Sequence, residues 1–199
     1  MSDERLTLVG SRVVLAPLTM DHVDALAEVG LDPEIWRWMP ARVRDRTGMQ
    51  AFVEECLEGL RRGSDVPFVT TLRDTGQITG ATRFLNIAFE HRRVEIGGTW
   101  IAPAWQRSHV NTEAKYLMLR HAFEHWGCRR VEFKTNALNT KSRDAIRRLG
   151  AVEEGILRKH MVQEDGSSRD SVYFSILDDE WPAVKRNLES ALARDGTKP

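Results

Sequence analysis

From Gly63 onward the sequence stops repeating every three or four residues and begins to alternate, and this switch constrains the fold more than any other feature. Phe68 to Leu72 and Ile78 to Leu85 are strand-type runs around Arg73-Asp74-Thr75-Gly76, which reads as a hairpin. Arg92 to Ile101 is a third such run and stops before Pro103. Three strands in succession make a sheet whose apolar face needs covering, so helices are expected on either side of this block.

They are legible there. Upstream, Leu6 to Leu15 suits a first strand, with Leu6, Leu8, Val13, Val14 and Leu15 around Gly10. Thr19 could cap a helix through Ala27. Phe52, Val53, Cys56, Leu57 and Leu60 recur at helical spacing in Thr47 to Arg62, and Gly63-Ser64 ends that helix. Downstream, Thr112 to Trp126 carries an apolar stripe of Ala114, Leu117, Met118, Ala122 and Trp126, closed by Gly127. Val131 to Thr135 is a strand and Asn139 to Leu149 a short helix. Two last strands enclose a Glu164-Asp165-Gly166 turn, and a helix over roughly Asp179 to Ala193 follows, with Pro182 in its first turn. Hairpins on both sides of one strand–helix–strand unit imply a mixed sheet, hence an α+β chain and not a doubly wound parallel one. Residues 6–193 read as a single domain between loose ends, 1–5 and 194–199.

Composition narrows the classes. A chain of 199 residues, 41% hydrophobic and 29% charged, is globular and large enough to need no disulfides. Its 29 basic and 29 acidic residues cancel, which argues against a protein that coats nucleic acid. Cys56 and Cys128 are too few for a disulfide framework or a zinc site. His121 and His125 stand one helical turn apart but lack a third ligand, so no metal is expected. No apolar run approaches the roughly 20 residues that span a bilayer, and Met1 to Arg5 has no signal-peptide pattern, so the cytoplasm is the expected compartment and no membrane partner is expected.

Two stretches carry chemistry. In the first, a strand through Gly97-Gly98-Thr99-Trp100-Ile101 runs into the loop Gln106-Arg107-Ser108-His109-Val110-Asn111, and the loop opens a long helix at Thr112. A helix start of this kind presents unpaired N–H groups and the positive end of the helix dipole, a ready anion site, and Arg107 adds a cation suited to phosphate. The simpler reading is that Asn111 or Thr112 only caps the helix. In the second stretch, Asn139 and Ser142 stand three apart at a helix start and can point to one side; here too Asn139 could be a cap alone.

Together these stretches resemble the GCN5-related N-acetyltransferase (GNAT) superfamily, and within it the ribosomal-protein N-terminal acetyltransferase-like branch. The resemblance runs from Gly10-Ser11-Arg12 to Glu180-Trp181. It rests on the ordered occurrence of Trp-x-x-Pro, Asn-Thr-Glu-Ala, Asn-x-x-Ser and Leu-Gly-Ala-x-x-Glu-Gly-x-Leu-Arg. It implies a GNAT fold: a mixed, mostly antiparallel sheet of six or seven strands, split at a V-shaped cleft that takes acetyl-CoA. By that resemblance, pantetheine would pair with the backbone at Thr99, Trp100 and Ile101. The pyrophosphate would sit on Gln106, Arg107, Ser108, His109, Val110, Asn111 and Thr112. Asn139 would bond the pantetheine, and Ser142 would steady or protonate the departing thiolate. The implied activity is acetyl transfer to a primary amine, on a protein N-terminus or a small amine or amino acid. Members often pair, so a homodimer is also implied.

The chain departs from the family at three points. The superfamily's loop pattern is Gln/Arg-x-x-Gly-x-Gly/Ala, and here His109 and Asn111 fill both glycine positions, so the loop would take another path or hold CoA more weakly. A branch glutamate that can act as base is matched by Met161, and a superfamily tyrosine acid by Ile146. The remaining candidate base is Glu95, with the alternative that it is a solvent-facing strand residue paired with Arg92 or Arg93. Proximity could supply much of the rate without a dedicated base. By the resemblance Trp36 and Trp38 would wall the acceptor side; as they lie two apart, one can pack inward while the other lines the opening, or both lie in the core or an interface. The alternative functions are a CoA-binding protein of the same fold with little turnover, and a phosphate-binding module that uses the loop without chemistry.

Overall fold

The computed structural model describes residues 6–163 and 166–195; Glu164 and Asp165 of the expected turn, and the ends 1–5 and 196–199, lie outside these. The first strand run breaks into β1 (Leu8–Val9) and β2 (Val13–Pro17), which pair antiparallel with Leu8 opposite Leu15. This break brings the strand count among the described residues to eight, where six or seven were expected. The turn between them is pinned by a buried carboxylate. Glu113 Oε1 accepts hydrogen bonds from the Ser11 N–H (2.5 Å), the Ser11 hydroxyl (2.9 Å) and the Arg12 N–H (3.0 Å).

A 3-10 turn over Met20–His22 precedes α1 (Val23–Gly30), and a single turn, α2 (Pro33–Trp36), follows it. Next comes α3 (Arg46–Arg61), which starts one residue before the expected Thr47 because Asp45 caps it by accepting from the Gly48 N–H at 2.7 Å. Strands β3 (Val66–Leu72), β4 (Ile78–Ala88) and β5 (Arg93–Ile101) form an antiparallel meander, as the alternation predicts. The chain continues through α4 (His109–Arg120), β6 (Arg130–Asn136), α5 (Thr140–Arg148), β7 (Val152–Val162), β8 (Ser168–Leu177) and α6 (Trp181–Asp195). The last helix thus runs two residues into the stretch expected to be loose.

The start of α4 differs most from expectation. Ser108, not Asn111 or Thr112, is the cap: its hydroxyl oxygen accepts from the Val110 N–H (3.3 Å) while it donates to the Trp105 carbonyl (2.6 Å). Three good capping residues in a short stretch leave the choice to tertiary packing. After Arg120 the helix widens into a π-helical turn, His121–His125, before Gly127 ends it at φ +61°.

The sheet order is β1-β2-β3-β4-β5-β6-β8-β7. All neighbours are antiparallel except β5 and β6, which pair in parallel only at Arg93–Arg130, Val94–Val131 and Glu95–Glu132. Beyond Glu95 the two strands separate, and this V-shaped opening positions everything that follows. Helices cover both faces. On one, α1, α2 and α3 bury Leu26, Trp36, Phe52, Val53 and Trp100. On the other, α4, α5 and α6 bury Met118, Ile146 and Leu188 against Leu15, Phe84, Ile96 and Phe174. Each such side chain contributes about 1.5–3 kcal/mol.

Candidate functional site

The site is built where β5 leaves β6. Ala81 pairs with Trp100 and Arg83 with Gly97, so Thr82 of β4 alone faces both Gly98 and Thr99 of β5. That is a β-bulge, and Gly98 supplies its left-handed φ of +57°. The bulge re-aims the strand at the mouth of the cleft. Past Glu95 the backbone of β5 has no ladder partner on its β6 side, so an extended chain carrying amide groups could complete it.

Glu95 is the last residue before the split. It is 2% exposed, which removes the solvent-facing alternative. Its Oε2 accepts from Asn86 Nδ2 at 2.8 Å and lies 3.5 Å from Lys134 Nζ. Arg92 and Arg93 are engaged elsewhere: Arg92 Nε donates to the Gly127 carbonyl at 2.8 Å, and Arg93 pairs with Glu132 at 3.4 Å. Tyr173 of β8 stands by the same group, and burial, Glu95 and Glu132 hold its phenol above the ordinary range. Arg169, also on β8 and 6% exposed, is pulled below its usual value by burial, against the opposing field of Glu95. Its Nη1 donates to the Trp38 carbonyl at 3.3 Å, tying β8 to the segment after α2.

The two tryptophans differ in burial. Trp36 is 2% exposed, donates its indole N–H to the Gly30 carbonyl (2.6 Å) and packs on Phe52 and Trp100 at 5.2 and 5.6 Å. The expectation that Trp36 binds substrate therefore gives way to a role in the core. Trp38 is half-buried, with Arg37 stacked 5.1 Å over its ring. The Trp100 side chain also belongs to the core, which leaves only its backbone to the cleft.

The far end of the cleft is the loop into α4. Arg107, not His109 or Asn111, takes the left-handed backbone, at φ +62°. His109 and Asn111 lie within the helix, so neither residue strains the backbone there. Gln106 donates from Nε2 to the Ile101 carbonyl (3.0 Å) and accepts from Lys141 Nζ on α5, spanning the mouth from one strand's end to the helix after the other. Val110 is buried, whereas Ser108 and Thr112 are half-buried. Across the cleft, Asn139 caps α5 by accepting from the Ser142 N–H at 3.1 Å through Oδ1, and among the described residues its amide N–H groups meet no acceptor. Ser142 is half-buried on the first turn of α5.

Several residues here escaped the sequence reading: Asn86, Lys115, Lys134, Arg169 and Tyr173. Lys115 is 5% exposed, and its Nζ donates to Thr82 Oγ1 (2.9 Å) and Thr99 Oγ1 (2.5 Å), the two side chains of the bulge. Burial alone pulls its pKa from 10.5 to about 7. A signal for it existed, since Lys115 stands three residues before Met118 and seven before Ala122 and so lies on the apolar stripe of α4.

Comparison with known proteins agrees with this geometry. Residues 12–152 match the acetyltransferase (GNAT) domain family. The chain is 33% identical over 110 residues to YdaF of Bacillus subtilis (strain 168), whose name marks it as a candidate ribosomal N-acetyltransferase; the match covers 55% of this chain and 59% of that protein's length. A GCN5-related N-acetyltransferase from Brucella melitensis superposes with a TM-score of 0.90 at 28% identity, covering 100% of this chain and 90% of the other. RimJ of Mycobacterium smegmatis in complex with CoA-disulfide gives 0.76 at 25% identity, over 90% and 88% of the two chains. The chain belongs to the GNAT family of acetyltransferases.

Proposed function

We propose that this chain, working as one domain over residues 6–193, transfers the acetyl group of acetyl-CoA to a primary amine, and that the amine is a protein N-terminus. The observation that carries the reading is the split after Glu95, with a bulge on one lip and a buried carboxylate beside it. The likeness to RimJ in complex with CoA-disulfide supports the donor, and the likeness to YdaF, named as a candidate ribosomal N-acetyltransferase, supports a protein acceptor. Acetyl-CoA would supply an acetyl thioester and two pantetheine amides, and the unpartnered edge of β5 at Thr99, Trp100 and Ile101 suits those amides.

The chain's own residues would then do the rest. The first turn of α4 offers its N–H groups to the pyrophosphate, with Arg107 and Lys141 as cations at the mouth. Asn139 donates its free amide hydrogens to the pantetheine. A backbone N–H of the bulge meets the oxygen on which negative charge develops, where a fixed donor outperforms water. Glu95 accepts the proton the amine must lose, directly or through a water. Ser142 steadies the departing thiolate.

A CoA-binding protein with little turnover is the second reading. It is favoured by Ile146, 8% exposed in the core, where a tyrosine acid would stand. Thiol release from acetyl-CoA against a panel of short peptides and small amines separates the two. Release that depends on a peptide N-terminus supports transfer to proteins, and release with small amines alone moves the acceptor class. No release with any amine contradicts the transfer reading.

A further inference from the structure

Lys115 has no place in the chemistry above, yet its setting is unusual. Among the described residues it makes no ion pair, and the strands packed against it face it with hydroxyls: Thr82 from β4 and Thr99 from β5. These belong to the bulge itself, since Thr82 is the single residue on one strand and Thr99 one of the two opposite it. The two hydroxyls also lie 2.7 Å apart, and Thr99 Oγ1 lies 3.4 Å from the Gly97 carbonyl. One amine on α4 therefore grips both sides of the bulge, and through Thr99 the grip reaches the backbone at Gly97. An amine this buried with no carboxylate costs stability. Its two hydrogen bonds, and not a gain in stability, are what this lysine contributes at the bulge.

We infer that Lys115 is a positioning residue for acetyl transfer: through Thr82 and Thr99 it fixes the bulge so that the N–H groups of Gly98 and Thr99 keep one orientation toward the cleft. This rests on the transfer reading for its catalytic consequence, but the grip is a property of the apo chain. Trp100 and Ile101 are held separately by pairing with Ala81 and Gly80, so loosening the bulge should spare CoA binding and fall on the transfer step.

The test uses the full chain and three variants: Lys115→Met, Thr99→Val, which removes only the hydroxyl and serves if the first does not fold, and Thr99→Ser, which keeps it. Hydrogen exchange of the 96–101 segment needs no turnover. In Lys115→Met and Thr99→Val that segment should exchange about tenfold faster, the upper worth of one hydrogen bond, while the 140–148 helix is unchanged. Thr99→Ser should restore wild-type exchange. Where thiol release is measurable, kcat should fall about tenfold or more with little change in the KM for acetyl-CoA. Unchanged exchange at 96–101 in both disrupting variants overturns the inference. So does faster exchange spread over the whole sheet, or a loss seen only in KM. Absence of thiol release in the wild type would sink the transfer reading, and the exchange result would still decide whether Lys115 holds the bulge.

Discussion

Lys115 also makes a contribution of its own to how stability depends on pH. Its pKa is pulled from 10.5 to about 7 by burial, and each pH unit of such a gap corresponds to about 1.4 kcal/mol. Below pH 7 the amine is protonated in both folded and unfolded chains, so the folded state carries the whole cost of a buried charge, at most about 5 kcal/mol. Between pH 7 and 10.5 the unfolded chain binds the extra proton at this group, so its penalty shrinks as pH rises; above 10.5 the cost is gone. Lys115→Met removes the titrating group and also two hydrogen bonds, to Thr82 and Thr99, whose hydroxyls can still bond each other at 2.7 Å. With about 1–2 kcal/mol lost from those bonds, the variant should be more stable than wild type by about 3 kcal/mol at pH 6. The advantage should vanish, and slightly reverse, by pH 10.5. Guanidinium unfolding at pH 6, 8 and 10 measures this directly. A variant less stable than wild type at pH 6, or a difference that does not change with pH, refutes the reasoning.

Other consequences follow from single contacts. Glu95→Gln keeps the bond from Asn86 but removes the proton acceptor, and should lower kcat about a hundredfold or more with little change in the KM for acetyl-CoA; a change confined to KM would contradict the assigned role. In Gly80→Ala the new Cβ would lie 2.1 Å from the Trp100 carbonyl oxygen, at a backbone φ of +154°. The variant should lose about 3 kcal/mol of stability, and its CoA affinity should fall as the β5 edge is displaced, which calorimetry reads. Glu113→Ala removes the acceptor of three hydrogen bonds at the β1–β2 turn, where Ser11 is exposed and can turn to water, and should cost about 1–3 kcal/mol in a denaturant titration. Trp36→Phe loses the bond to Gly30 and should cost about 1–3 kcal/mol while leaving transfer per folded molecule intact; a selective loss of activity would return Trp36 to the acceptor site.

Much of the fold was written in local periodicity. The meander β3–β4–β5 and the stripe of α4 follow from alternation and helical spacing that each segment carries within itself, although helices bury both faces of β3. What escaped is what depends on the other layers. The cap at Ser108 won over Asn111 and Thr112 through its bond to the Trp105 carbonyl, a contact no capping preference encodes. The first strand split because Glu113, a hundred residues away, pins the turn at Ser11 and Arg12. The cleft residues divide the same way. Glu95 could be singled out, but its partners Asn86 and Lys134 and the charge of Arg169 come from three other strands, β4, β6 and β8. Lys134 lies two residues past Glu132, on the face that meets Glu95, yet that meeting needs the parallel β5–β6 pairing to be known first.

The central claim is that the split sheet and the first turn of α4 form a CoA site although His109 and Asn111 stand where the family has small residues. Isothermal titration of the purified chain with CoA and, separately, with acetyl-CoA tests it most directly. The account predicts one site per chain with a Kd on the order of micromolar for both ligands. Absence of binding at millimolar ligand would contradict it, and would leave a GNAT fold whose cleft no longer accepts the donor.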